Sequence, residues 1–167
     1  MTFDFEQAKQ EITQWVTDFV EKPNPLLNGW APCPYARRAR VEHKFDIRPG
    51  QINPISDCAF QGMDTYDVIA YVYVGDRFLS QEFNEMVDNL NAWHLKGRGM
   101  FALADHPADV ESVNGVVMNQ GQYAICFLQD LDKLNSHARM LADRGFYNSW
   151  PEEYLSVLFA GRDDPRS

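Results

Sequence analysis

The fold is decided by residues 68–74, Val-Ile-Ala-Tyr-Val-Tyr-Val, a continuous run of mainly β-branched and aromatic side chains that ends at Gly75-Asp76. Such residues favour β-strands, and a run that is apolar at every position is typical of a strand covered on both faces. We therefore predict that residues 68–74 form the central strand of a β-sheet.

The segments around this strand show the patterns of helices and of further strands. Four segments have apolar residues every three or four positions, the spacing of an amphipathic helix, and a fifth starts at Pro34, a residue suited to a first helical position. Other segments are apolar throughout or alternate apolar and polar residues, as strands do. The predicted helices are 5–20, 34–40, 79–93, 131–142 and 151–160. The predicted strands are 41–48, 68–74, 100–104 and 123–128, with a short extra element at 116–118.

This order of elements predicts one α+β domain that spans residues 1–167. We expect two layers, with the helices on one face of a largely antiparallel sheet. A ferredoxin-like topology is the first expectation, and a thioredoxin-like sheet is the alternative. Residues 50–66 show neither pattern.

Composition and charge limit the partners of the chain. Lys and Arg number 15 against 24 Asp and Glu, which gives a net charge of −9. A field of this sign repels nucleic-acid phosphates and anionic lipid, so we expect neither nucleic acid nor a membrane as a partner. Residues 1–6 lack the basic start and apolar run of a signal peptide, which predicts a cytoplasmic protein.

The clearest candidate site lies in the segment Trp30-Ala31-Pro32-Cys33-Pro34-Tyr35-Ala36-Arg37-Arg38. We predict that Cys33 caps the helix at 34–40, where free amides and the helix dipole would stabilise a nucleophilic thiolate. Arg37 and Arg38 could instead bind a carboxylate or phosphate on a small ligand that contacts Trp30 and Tyr35. Alternatively, the Pro-Cys-Pro stretch packs as a tight loop beneath the two aromatic rings and has no chemical role.

This segment resembles a known family. Cys33-Pro34-Tyr35-Ala36-Arg37, placed after an N-terminal helix, is similar to the Cys-Pro-Phe-Ala hallmark of an uncharacterised bacterial domain family. That family also has a Phe-His-Pro stretch, whose counterpart here is Asp105-His106-Pro107, and a later Asn-Arg-Ser-Pro-Tyr-Pro stretch, which residues 119–123 match without its Arg-Ser-Pro portion. The resemblance implies no activity, but it implies that Cys33, His106 and Asn119 converge on one site.

Asp105 and His106 form a second candidate on their own, because they end an apolar strand and open a long loop. Polar groups at such a place can line a cleft, and a neutral histidine can serve as base, acid or ligand. Contact with Cys33 would create a thiolate–imidazole pair. The alternative is that His106, which precedes a proline, only satisfies backbone groups of a turn.

Motifs for metals and cofactors are absent from the sequence. The four histidines have no HxH, HxxxH or HExxH spacing, and the three cysteines are far apart, so we expect no metal centre. A scattered site of Cys33, Asp105 and His106 is the alternative. Neither GxGxxG nor GxxxxGK(S/T) occurs, so we expect no cofactor held by such a loop.

Two functions therefore stay open. The first is an enzyme or binding protein for a small anionic ligand, in which Arg37 and Arg38 neutralise charge, Cys33 acts as nucleophile or hydrogen-bond partner, and His106 moves protons. The second is a non-catalytic interaction module that docks a partner, or a second copy of the chain, through Trp30 and the helix 151–160. The sequence does not decide whether the chain is an enzyme.

Overall fold

The computed structural model describes residues 3–166, so the two residues before them and the last residue of the predicted domain lie outside the described residues. The strands are β1 (Phe45–Pro49), β2 (Val68–Val74), β3 (Met100–Asp105), β4 (Ser112–Val113), β5 (Val116–Val117) and β6 (Tyr123–Asp130). The α-helices are α1 (Phe5–Trp15), α2 (Ala36–Val41), α3 (Pro54–Cys58), α4 (Ser80–Leu90), α5 (Leu131–Asp143) and α6 (Glu152–Leu158). The π-helical segments Val16–Val20 and Asn91–Leu95 extend α1 and α4, and 3-10 turns lie at Pro25–Leu27 and Lys96–Arg98.

The main sheet has the strand order β1-β2-β6-β3, which confirms an α+β fold with β2 in the interior. β1 and β2 are parallel, whereas the β2–β6 and β6–β3 pairs are antiparallel. Two of the three strand pairs are antiparallel, as expected of a largely antiparallel sheet, but the parallel β1–β2 pair makes the sheet mixed, and the ferredoxin-like topology is not confirmed. The reason lies in α3, which provides a helical crossover between β1 and β2. It begins at Pro54, and the Asn53 side chain accepts from the Ser56 N–H at 2.9 Å.

Helices cover both faces of the sheet, not the one face that was expected. Ile69, Tyr71 and Tyr73 of β2 pack against α3 and α4. Ala70 and Val72, which alternate with them, pack against α1 on the other face. This arrangement follows from the apolar character of every position in β2, because a strand covered on one face only would alternate with polar residues.

The end of α4 changes the buried side of the helix. The side chains of this element that pack inward are Phe83, Val87, Leu90, Asn91 and Leu95. Asn91 follows Val87 by four residues and stays on the buried side, whereas the wider π-helical turn places Leu95 inward and Trp93 outward. The Asn91 carboxamide donates to the Ala102 carbonyl at 2.8 Å and accepts from the Ala102 N–H at 2.7 Å. A helix side chain thereby satisfies backbone groups of β3, an edge strand.

A separate hydrophobic cluster, the C-terminal cluster, joins the β4–β5 hairpin to the last two helices. Its buried members are Leu27, Val113, Val116, Ala138, Leu141, Phe146, Tyr147, Trp150, Leu155 and Phe159. The hairpin confirms the short element expected near residues 116–118. Because α6 contributes Leu155 and Phe159 to this cluster, the last helix is docked on the domain.

Candidate functional site

The Cys33 loop connects the π-helical end of α1 to α2. The Cys33 N–H donates to the Val20 carbonyl at 3.0 Å, and the Cys33 carbonyl accepts from the Ala36 N–H at 3.1 Å. Helix α2 begins at Ala36, and its N-cap is Tyr35. The expectation that Cys33 caps this helix is therefore wrong, because the turn at Pro34 and Tyr35 separates the thiol from the first helical residue.

The surroundings of the Cys33 thiol do not acidify it. Residue 33 is exposed at the surface, yet protein atoms are dense around the sulfur, and this desolvation raises the pKa of the thiol. The N–H groups of Tyr35 and Ala36 oppose that shift, because they hydrogen-bond to the thiolate. Desolvation is the larger effect, so the thiol stays mainly protonated at neutral pH.

Three arginines follow Cys33, and two of them are paired with carboxylates. Arg40 forms a two-point salt bridge with Glu21, at 2.9 and 2.7 Å. Arg38 pairs with Glu42 at 3.1 Å. Arg37 is exposed and forms no ion pair within residues 3–166. Of the two arginines expected to bind an anion, Arg37 is the one that keeps an uncompensated charge.

Trp30 and Tyr35 anchor the loop on the C-terminal cluster. The Trp30 ring meets Phe146 edge-on, with centroids 5.5 Å apart. The Tyr35 ring stacks on His137, with centroids 3.9 Å and planes 12° apart. Such aromatic contacts stabilise the loop, so packing accounts for both rings without a ligand.

His106 is held by backbone groups on both sides of its ring. Its Nε2 lies 2.7 Å from the Phe78 carbonyl, and its Nδ1 accepts from the Ala108 N–H at 3.1 Å. A ring that accepts at Nδ1 and faces a carbonyl with Nε2 is a neutral Nε2–H tautomer. The side chain is buried, and both nitrogens are engaged. This geometry favours a role in holding the loop over a role as general base.

Asp105 has one bonded and one unbonded carboxyl oxygen. Its Oδ2 accepts from the Gln120 N–H at 3.0 Å, whereas Oδ1 is buried and has no hydrogen-bond partner within residues 3–166. Desolvation raises the pKa of this carboxyl to about 7; the Gln120 amide opposes the shift, and the charges of Glu111 and Asp109 add to it. Asp105 therefore titrates near neutral pH.

Asn119 and Glu111 fasten the long loop after β3. The buried Asn119 donates to the His106 carbonyl at 3.4 Å and accepts from the Glu111 N–H at 3.3 Å. The Tyr154 hydroxyl of α6 reaches Glu111 at 3.5 Å. Burial raises the pKa of Glu111, and Asp109 adds to that shift, while the Tyr154 bond opposes it. The polar side chains of the loop are thus used to hold it to the domain.

The structure brings together one part of the expected site and leaves the other apart. Asp105, His106 and Asn119 belong to the same hydrogen-bonded loop. No hydrogen bond or ion pair identified in the part of the chain that the structure describes joins this loop to the Cys33 segment. Cys33 and His106 therefore form no thiolate–imidazole pair. The scattered metal site of Cys33, Asp105 and His106 is not assembled either.

Two aromatic residues outside the expected site are more exposed than either aromatic residue within it. Phe60 is 88 % exposed and Trp93 is 80 % exposed. The apolar spacing Leu79, Phe83, Met86, Leu90 predicts Trp93 on the buried side of its helix, and Phe60 belongs to the segment 50–66, which shows no pattern. The π-helical segment that carries Trp93 departs from helical periodicity, and this departure is visible only in the structure.

The expected site residues form no metal-binding cluster within residues 3–166 and line neither of two surface depressions. Among residues 3–166, no group of three or more His, Cys, Asp or Glu side chains is arranged to hold a metal ion. Two open depressions, with volumes of about 570 and 350 Å³, lie along the outer face of α1 and beside α6. None of the expected site residues lines either of them.

A comparison of the chain with protein families, curated proteins and solved structures finds no match. The resemblance to a bacterial domain family accordingly stays a prediction. None of the helices within residues 3–166 combines the length and the apolar character that crossing a bilayer requires.

Proposed function

We propose that the chain is a non-catalytic interaction module that binds a partner protein on the α3–α4 surface, defined by Ile52, Phe60, Leu79 and Trp93. The observation that carries this proposal is the exposure of Phe60 and Trp93, at 88 % and 80 %. Aromatic side chains contribute most of the binding energy at many protein interfaces, and an exposed apolar patch on a domain marks a binding surface. The proposal keeps the interaction function expected from the sequence but moves it to another surface.

Hydrogen bonds from an arginine side chain to backbone carbonyls support the placement of Phe60 and Trp93 at one end of this surface. Arg98 lies in the 3-10 turn that follows the π-helical segment of Trp93. Its guanidinium donates to the carbonyls of Ala59 and Gln61, which flank Phe60. The chain around Phe60 is therefore tied to the end of the helix that carries Trp93.

A similar contact lies at the other end of the surface. Arg77 precedes α4, and its guanidinium donates to the carbonyls of Gln51 and Ile52 at 2.8 Å each. The side chains of Ile52 and Leu79 are both exposed. Apolar groups at both ends of the layer give a partner more contact area than a single side chain would.

The surface expected from the sequence is largely used by the fold. Trp30 packs on Phe146, and α6 buries Leu155 and Phe159 in the C-terminal cluster. Side chains that already pack inside the domain gain little from contact with a partner. This is the reason for proposing the α3–α4 surface instead.

The test compares three forms of the full chain, crosslinked in the same lysate and analysed by quantitative mass spectrometry. They are the wild type, the double variant Phe60→Ala/Trp93→Ala and the control Leu26→Ala/Val157→Ala, which removes exposed apolar groups elsewhere. We expect at least one protein that the wild type and control recover and that the double variant recovers at least tenfold less. Equal recovery by all three contradicts the proposal. Sedimentation of the wild type decides whether the partner is a second copy of the chain.

A second candidate function is the binding of a small anion beside Cys33. It is favoured by the exposed Arg37 and by the N–H group of Tyr35 next to the thiol. Alkylation reports on this place, because Cys33 is exposed whereas the other two cysteines are buried. Under this function, inorganic phosphate slows alkylation of the wild type at least twofold and has no effect on Arg37→Gln. A wild-type rate that phosphate leaves unchanged eliminates it.

A further inference from the structure

We propose that the partner of the α3–α4 surface presents basic side chains beside an apolar patch, an inference that rests on the proposed function. The outer face of α4 carries Glu85 and Asp88 close to Trp93 in the helix. Neither carboxylate forms an ion pair within residues 3–166. Unpaired charges on a docking surface select partners of the opposite sign.

Helical spacing places these carboxylates on the exposed strip that leads to Trp93. Asp88 and Asn89 follow Glu85 by three and four residues, so the three side chains are neighbours on the helix surface. Ala92 and Trp93 follow Asp88 and Asn89 by four residues each, and all five side chains are exposed. A partner that contacts Trp93 therefore also lies near the carboxylates.

Two carboxylates near α2 are already neutralised by arginines of that helix. Glu42 pairs with Arg38 at 3.1 Å, and Glu21 pairs with Arg40 at 2.7 Å. On α4, by contrast, Glu85 accepts from the uncharged side chain of Gln81 at 3.1 Å.

Like charges also lie close together on this strip. Burial raises the pKa of Asp88, and the negative charge of Glu85 adds to the shift. A cation supplied by a partner relieves this repulsion, because it stabilises both carboxylates in their charged form.

The charges on the two sides of Trp93 also set an orientation. Lys96 and Arg98 follow Trp93, whereas Glu85 and Asp88 precede it. The basic groups of the partner must therefore face the earlier turns of α4. The net charge of −9 adds a long-range attraction for a basic partner.

Two synthetic amphipathic helical peptides with the same leucine pattern test this inference, one with Lys and one with Glu at its polar positions. Each is titrated into the full chain at low salt, and binding is followed by the NMR signal of the Trp93 indole N–H, assigned with Trp93→Phe. We expect the Lys peptide to bind at least tenfold more tightly than the Glu peptide. We expect Glu85→Gln/Asp88→Asn to reduce this preference at least threefold. The control Glu6→Gln/Glu153→Gln removes two exposed carboxylates from other helices and should keep the preference.

The outcomes separate this inference from the proposed function. Equal binding of both peptides at Trp93 overturns the inference and leaves the docking surface in place. If Glu85→Gln/Asp88→Asn and the control reduce the preference equally, the Lys peptide is attracted to the acidic chain as a whole. This outcome also overturns the inference. If neither peptide moves the Trp93 signal, the inference fails, while the capture experiment decides the proposed function independently.

Discussion

The loop between β3 and β6 and the α3–α4 surface use their side chains in opposite ways. In the loop, Asp105, His106 and Asn119 are polar and largely buried, and each is bonded to nearby backbone. On the surface, Phe60 and Trp93 are apolar and exposed. A chemically versatile residue type therefore does not by itself mark a site. What matters is whether folding already uses the side chain.

The largest effect that would test this comparison concerns Asp105. Its pKa rises from 3.8 to about 7 on folding, so the folded state holds the proton more tightly. The contribution of this carboxyl to the free energy of unfolding is fully present below pH 3.8. It is lost as the pH rises through 7, which lowers the free energy of unfolding by up to about 4 kcal/mol. Asp105→Asn should lack this loss. Urea unfolding of both proteins at about pH 4 and about pH 8 measures the difference.

Asp109→Asn is the matched control for this experiment, because Asp109 is an exposed carboxylate of the same loop. We expect it to keep most of the wild-type pH dependence. If Asp105→Asn loses as much stability between the two pH values as the wild type does, the carboxyl of Asp105 is not desolvated as described.

A smaller effect is expected from His106→Ala. The substitution removes the bond to the Phe78 carbonyl and leaves the Ala108 N–H without its acceptor. Loss of such buried bonds costs about 2 kcal/mol, which urea unfolding would show. His94→Ala is the control, since His94 lies on the helix that extends α4 and is half-buried. Equal losses of unfolding free energy in the two variants would mean that His106 does not hold the loop more firmly than an ordinary half-buried histidine would.

The smallest effect is expected on the α3–α4 surface. Phe60→Ala and Trp93→Ala should each change the free energy of unfolding by less than about 0.5 kcal/mol, because neither side chain packs in the fold. Phe83→Ala, on the buried side of α4, should cost about 3–5 kcal/mol. A large loss in Trp93→Ala would mean that this ring stabilises the domain, and the contrast between the two regions would disappear.

Much of the fold could be predicted because its elements follow local patterns. The strand at 68–74 and the helix from Phe5 are examples, since each is recognisable from its own side chains. The strand order could not be predicted in this way, because the parallel β1–β2 pair depends on the crossover through α3. An asparagine cap followed by proline, at Asn53-Pro54, was the available signal for that helix.

The candidate site shows the same limit. The family resemblance grouped His106 with Asn119 and with Cys33, and the structure joins the first two by a hydrogen bond. The part each residue plays depends on partners distant in sequence, such as Phe78 for His106. The exposure of Trp93 depends on a π-helical turn, which helical periodicity does not encode.

The pair of hydrogen bonds between Asn91 and Ala102 has a consequence for other copies of the chain. An edge strand offers free donors and acceptors to any strand that approaches it. Here a carboxamide already occupies one such donor and acceptor of β3. Strand addition from a neighbouring molecule is obstructed at this position. A helix side chain thus protects the sheet edge against the strand pairing that leads to fibrils.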